Sequence, residues 1–199
     1  KYAFFGEKWG IFKQKKSELI EGNLDTICDQ GVVMMKEAIS KFKLLPKFSV
    51  VMPVYNTDIG YLEKAIHSVL DQTYPYWELC IADDASPDQT VRDCIASYAA
   101  IDNRIRYVFR KENGNISVSS NDAINLATGE FIVLFDHDDI LDISALFCLA
   151  EKINALDGKV DLLYTDEDKI DEDGNRFNPY FKPDWNRVNA WSAKAITNA

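Results

Sequence analysis

From Phe48 onward, short apolar runs rich in β-branched and aromatic residues alternate with longer segments of helical period, and few folds accommodate that rhythm. Residues 48–52 read as a strand, and Leu62, Ala65, Ile66, Val69 and Leu70 then follow helical spacing. Residues 77–82 read as a second strand, followed by a helix that starts near Asp88 and lines up Val91, Ile95, Tyr98 and Ala99. A third strand is expected over residues 105–109. A helix from about Ser117 should end at Gly129 in the left-handed C′ position, with a fourth strand from Glu130. A last helix carries Ile143, Leu146, Phe147, Ala150 and Ile153, stops near Gly158, and is followed by a strand over residues 160–164. Such alternation implies parallel pairing, right-handed crossovers and helices on both faces: a doubly wound α/β sandwich.

The 199 residues, 47% of them hydrophobic, can bury one substantial core. Residues 1–45 read as a small helical segment separate from residues 46–199, with Pro46 at the boundary and Ile27, Met34, Met35, Ala38, Ile39 and Phe42 as its apolar positions. The basic cluster Lys13-Gln14-Lys15-Lys16 beside Trp9, Ile11 and Phe12 could make a peripheral contact with an anionic membrane, although such a cluster is more often a solvated helix face. Residues 190–199 show weak helical character. A formal charge of -10 argues against a nucleic-acid partner, which would require a basic face. Cys28, Cys80, Cys94 and Cys148 form no CxxC pair, so buried thiols in a reducing compartment fit better than zinc or a disulfide framework. No apolar run approaches the roughly 20 residues that span a bilayer, which makes the cytoplasm the expected location.

Three apolar runs end in acid. Residues 131–135 lead into Asp136-His137-Asp138-Asp139, residues 79–82 into Asp83-Asp84-Ala85-Ser86, and residues 160–164 into Thr165-Asp166-Glu167-Asp168. Carboxylates this close repel one another unless a hard cation neutralises them, and Mg²⁺ or Mn²⁺ shared with a diphosphate is the natural candidate. An isolated acidic turn before a helix capped by Asp142 or Ser144 would be unremarked. In open α/β sheets, however, the ligand crevice lies outside the carboxyl ends of the strands, where all three turns would meet.

The first exit, Met52-Pro53-Val54-Tyr55-Asn56-Thr57, has neither GxGxxG nor a GK[ST] ending, which argues against a dinucleotide enzyme or a P-loop NTPase. Tyr55 could stack on a base while Asp84 accepts from a ring N–H, a pairing suited to uracil or thymine; alone, Tyr55 reads as an ordinary loop aromatic. Residues 48–56 resemble the opening strand of the nucleotide-sugar-dependent glycosyltransferases of family 2, with the GT-A fold. Residues 65–74 (AIHSVLDQTY) resemble the helix and turn that follow. Asp83-Asp84-Ala85-Ser86, residues 121–130 (NDAINLATGE) and the DxD formed by Asp136-His137-Asp138 continue the match in order. Residues 164–171 (YTDEDKID) and 180–185 (YFKPDW) are similar to a bacterial subgroup that builds surface polysaccharides, and the resemblance covers about residues 47–186.

The resemblance implies a GT-A, Rossmann-like, mostly parallel sheet and a metal-dependent transfer from a UDP- or dTDP-linked sugar to a saccharide or lipid-linked saccharide acceptor, with inversion. Pro53, Tyr55 and Asp84 would surround the base, with Asn56, Asn113 and Asn121 contributing to the donor site. Asp136 would hold the ribose or a metal-bound water, and Asp136, Asp138 and Asp139 are the candidate ligands of Mn²⁺ or Mg²⁺. Asp166 or Glu167 would stabilise the positive character at the anomeric carbon or orient donor hydroxyls, although Glu167 and Asp168 read equally well as a solvated turn. Asn115 stands where the family often has a second glycine, tolerable because asparagine accepts left-handed geometry. His137 and His67 read as structural, and Lys182 as a surface lysine before proline that could otherwise reach a phosphate.

An inverting transferase needs a general base within reach of the acceptor hydroxyl. In the family it lies downstream of the FKPDW-like stretch, where the resemblance breaks after Trp185-Asn186, so the acceptor half and its base are expected to lie outside these residues. A non-catalytic nucleotide-sugar-binding module is the alternative. A sugar nucleotidyltransferase would need a glycine- and basic-rich first loop, which is absent.

Overall fold

The computed structural model describes residues 2–5, 24–171, 174–182 and 196–198. The described residues form five helices, α1 (Leu24–Ile39), α2 (Ile59–Leu70), α3 (Gln89–Ile101), α4 (Asn115–Ile124) and α5 (Ala145–Ala155), and two sheets. The larger contains β2 (Phe48–Val54), β3 (Trp77–Asp83), β4 (Ile105–Phe109), β5 (Phe131–Leu134), β7 (Leu162–Leu163) and β10 (Ile196–Asn198) in the order β4-β3-β2-β5-β10-β7. The smaller joins β1 (Tyr2–Phe5), β6 (Ile140–Leu141), β8 (Asp166–Ile170) and β9 (Arg176–Tyr180) in the order β6-β1-β8-β9.

Parallel pairing holds β2 between β3 and β5, with Val50 opposite Leu79 on one side and Val133 on the other. All seven residues of β3 are buried, as a central strand covered on both faces must be. Alternation divides the covering: Val50, Met52, Leu79 and Ile81 pack with Leu62, Ile66, Val69, Val91, Ile95, Leu146 and Ile153 of α2, α3 and α5. Val51, Cys80, Ala82 and Ile132 meet Ala123 of α4 with Leu126 and Ala127 beyond its end. The α/β sandwich with helices on both faces is therefore present. Cys80 lies inside it as a thiol, which burial, and after it the neighbouring Glu78, push up to about 12.

Several local expectations are corrected. Tyr2–Phe5 is a strand rather than helix, α1 covers Leu24–Ile39, and residues 6–23 lie outside the described residues. Met35, Ala38, Ile39 and Phe42 then pack on the main core, with the Phe42 and Phe147 rings 5.8 Å apart. Trp9, Ile11, Phe12 and the basic cluster at Lys13 to Lys16 lie outside the described residues. The tail carries strand β10 at residues 196–198, antiparallel to both β5 and β7, where helical character was expected. The strand expected over residues 160–164 is confined to Leu162–Leu163, and residues 166–168 open β8 instead of forming a turn.

Gly129 is not a left-handed helix end: α4 stops at Ile124, and only Gly158 and Gly174 among the described glycines have positive φ. A Cβ at Gly129 would lie 2.5 Å from the Lys47 carbonyl and 2.7 Å from Ser49 Oγ, so close approach to the start of β2 is what requires glycine. The neighbouring Thr128 donates through its N–H and its hydroxyl to Glu78, which also accepts from Ser49 Oγ and Lys47 Nζ, both at 2.7 Å. Burial alone would push this carboxyl up, but the hydrogen bonds from Lys47, Ser49 and Thr128 outweigh it and hold it at about 2.

Candidate functional site

The directions of the strands determine where their ends meet. Since β2 is parallel to β3 and β5, and β3 to β4, those four carboxyl ends share one edge. Because β10 runs antiparallel to both β5 and β7, β7 also points that way. All three acidic segments therefore issue at one edge of one sheet, the crevice side of an open α/β fold.

Hydrogen bonds fasten these exits to one another. The Asp84 N–H donates to the Val54 carbonyl at 2.8 Å, and the Asn56 N–H to Ser86 Oγ at 2.9 Å, which joins the exits of β2 and β3. His137 Nδ1 lies 3.1 Å from the Pro53 carbonyl; a carbonyl only accepts, so the ring nitrogen carries the proton. That bond draws the acidic loop after β5 onto β2. Asn56, Ala85 and Asn115 have φ of 47°, 61° and 65°, so three of the connections turn through left-handed residues, including the asparagine at 115.

Tyr55 leaves the end of β2 with 47% of its surface exposed, and Pro53, within the strand, is half-buried. Asp84 is 3% exposed. Its Oδ1 accepts from the Gly114 N–H at 2.8 Å and lies 2.8 Å from Arg110 Nε. Asn113 is exposed, donates to the Asp84 carbonyl at 3.3 Å, and accepts from the Asn115 N–H, so it belongs to the same corner. Asn121 is an exposed residue of α4, and no described hydrogen bond joins its side chain to the exits. Asp136 is half-buried and Asp138 exposed, whereas Asp139 is 2% exposed, and its N–H closes a turn onto the Asp136 carbonyl at 3.2 Å.

The third segment is more committed than its sequence suggested. Asp166 Oδ1 accepts from the Lys182 N–H at 2.8 Å, and Glu167 Oε2 lies 3.2 Å from Lys182 Nζ. The Lys182 side chain is only 5% exposed, so it is a buried partner of Glu167 and not a surface lysine. Asp168 pairs with Arg176 Nε at 2.8 Å. Sequence reasoning overlooked Arg110 and Lys182 as partners of the acidic exits; a cation placed directly after β4, in Arg110-Lys111-Glu112, was the available signal.

Among the described residues, no three His, Cys, Asp or Glu side chains converge on a ready-made cation site. Mg²⁺-type sites commonly use one or two carboxylates and draw their remaining ligands from substrate phosphates and water. An exposed Asp138 beside a half-buried Asp136 fits that kind of site.

Comparison with known proteins agrees with the geometry. The family model described as glycosyl transferase family 2 matches residues 49–191. The chain belongs to that family, and its α/β sandwich is the GT-A fold. An uncharacterized protein of Sinorhizobium fredii, y4gI, is 49% identical over 154 residues, covering 77% of this chain and 17% of that protein. The O-antigen biosynthesis protein RfbC of Myxococcus xanthus is 32% identical over 154 residues, or 77% of this chain and 12% of that one. The chain thus spans less than a fifth of the length of either relative. The crystal structure of S. aureus TarS 1-349 in complex with UDP-GlcNAc superposes with a TM-score of 0.52 at 29% identity, covering 59% of this chain and 33% of that one.

Proposed function

We propose that residues 46–199 form the nucleotide-sugar-binding part of a glycosyltransferase. It would move a sugar from a UDP- or dTDP-linked donor to a saccharide or lipid-linked saccharide acceptor, with inversion, in capsule, lipopolysaccharide or other polysaccharide synthesis at the cytoplasmic side of the membrane. The observation that carries this reading is the gathering of Tyr55, Asp84 and the Asp136 to Asp139 loop at one sheet edge, fastened by the Pro53–His137 and Val54–Asp84 hydrogen bonds. The family match and the UDP-GlcNAc bound by TarS support it.

In this assignment Tyr55 stacks on the base above Pro53, and Asp84 accepts from its ring N–H. Asn56 and Asn113 border the same pocket, with Asn121 further along α4. Asp136 orients the ribose or a metal-bound water, and Asp138 is the principal protein ligand of Mn²⁺ or Mg²⁺. Asp139, buried behind them, shapes the loop that presents the pair. A bound divalent cation would supply Lewis-acid stabilisation of the charge that grows on the leaving diphosphate. Asp166 and Glu167, steadied by Lys182, orient hydroxyls of the donor sugar. Interactions that strengthen as the sugar–phosphate bond breaks accelerate the reaction, whereas uniform binding does not.

Titration calorimetry of the protein with UDP and Mn²⁺ tests the donor site. Metal-dependent binding that Asp138→Asn abolishes is expected; no metal-dependent binding by the natural sequence would defeat the assignment.

A further inference from the structure

Two adjacent carboxylates leave β3, and each is held by its own arginine. Asp83 is fully buried, with Arg92 Nε at 2.8 Å. Asp84 meets Arg110 Nε, also at 2.8 Å. The two pairs interlock, since the Arg110 N–H donates to the Asp83 carbonyl at 2.9 Å and Arg92 Nη2 donates to the Arg110 carbonyl at 2.9 Å. Arg110 is clamped further by a short contact from Nη1 to Asp122 of α4, and its side chain is only 14% exposed. A Cβ at Gly114 would lie 2.5 Å from Arg110 Nη2, so a residue without a side chain is what lets the guanidinium occupy that space. Gly114 is doubly matched to this corner, because its N–H is also the second donor to Asp84 Oδ1.

We infer that Arg110 is a positioning residue that gives the base site its selectivity, by holding Asp84 in one orientation as an acceptor for a ring N–H. The inference rests on the nucleotide-sugar reading of this site and adds to it the residue on which the choice of base depends. Both contacts described for the Asp84 side chain from Arg110 and Gly114 fall on Oδ1, which leaves Oδ2 as the oxygen a ligand would use. A carboxylate in an ion pair has acceptors only. Uracil and thymine present an N–H at ring position 3, whereas cytosine presents a lone pair there. A site built to accept from that N–H rejects the ring that lacks it, because two acceptors would face each other without water. Without the guanidinium, Asp84 would be free to rotate away from the ring N–H, and the distinction would fade.

Calorimetry with UDP and CDP, each with Mn²⁺, tests the inference on the natural sequence, Arg110→Gln and Arg110→Lys, with thermal unfolding monitored in parallel. The natural sequence should prefer UDP at least tenfold. Arg110→Gln should lose at least tenfold in UDP affinity with little change for CDP, so that the ratio approaches one, and Arg110→Lys should recover part of it. A folded Arg110→Gln that keeps the natural ratio, or weakens both nucleotides equally, overturns the inference while leaving the donor site standing. If Arg110→Gln does not fold, Arg110→Lys decides: a ratio reduced about threefold supports the inference and an unchanged ratio overturns it. If the natural sequence binds neither nucleotide, the donor-site reading itself fails and takes the inference with it.

Discussion

Where the strands of the large sheet begin, Glu78 is closed in: Lys47, Ser49 and Thr128 all donate to it, and its side chain is 4% exposed. Where the same strands finish, the acid is spread over several loops and Asp138 stands in solvent. One end spends its carboxylate on joining β2, β3 and the Thr128–Gly129 corner, so its contribution is to stability. The other leaves acceptor capacity for something that is not protein. Buried charge by itself therefore does not mark the functional end, since Asp83 and Asp84 are paired with arginines there too; what distinguishes that end is that it also presents an exposed carboxylate, Asp138.

Glu78→Ala should break that contrast most severely. Loss of the acceptor shared by buried Ser49 and the more exposed Lys47 and Thr128 should cost about 2 kcal/mol, read as a lower urea midpoint, with UDP affinity of the folded protein unchanged. An unaltered midpoint would show that the network contributes nothing. The same group gives the contrast a pH signature. Its folded carboxyl sits at about 2, below its ordinary 4.5, so its stabilisation is present above the latter value and is lost as pH falls toward the former. Urea unfolding of the natural sequence and Glu78→Gln should accordingly converge over that acid range.

Gly129→Ala should cost about 2 kcal/mol, since the added methyl must displace backbone at the start of β2. At the opposite end, Asp138→Asn should leave unfolding within about 0.5 kcal/mol of the natural sequence, while Mn²⁺-dependent UDP affinity falls at least about tenfold, or 1.4 kcal/mol. A stability loss without a binding loss would reverse the roles given to the two ends. Smallest is Ala85→Gly. Relief of the left-handed alanine is offset by the greater chain entropy of glycine, so a net change within about 1 kcal/mol in thermal unfolding is expected.

Much of this molecule was legible because β2, β3 and most of β5 are buried and so read as largely apolar runs, broken mainly by Ser49 and Glu78, with helical period between them. Asp88 caps α3 as its position suggested, accepting from the Thr90 N–H at 2.9 Å. Legibility falls where pairing is remote. Tyr2–Phe5 finds its partners at residues 140–141 and 166–169, a match that no local pattern announces. Gly129 misled because a glycine after a helix can signal either a left-handed turn or a tight approach, and only the neighbour across space decides. Among the site residues, the strand-exit acids stood out by position, whereas Arg110 did not, because one cation after a strand is common and its value depends on two distant partners, Asp84 and Asp122. Lys182 was misjudged for the same reason: its burial is set by Glu167, fifteen positions earlier in the chain.

The left-handed residues at 56, 85 and 115 have a thermodynamic corollary. Each places a left-handed turn after β2, β3 or β4, so on the donor-site reading the floor beneath a nucleotide is made of short bends in place of long loops. Ordering that floor is a cost met during folding, before any nucleotide arrives, so association has little left to freeze. Encounter should thus resemble a key entering a finished lock, with heat-capacity changes small enough to reflect surface burial alone.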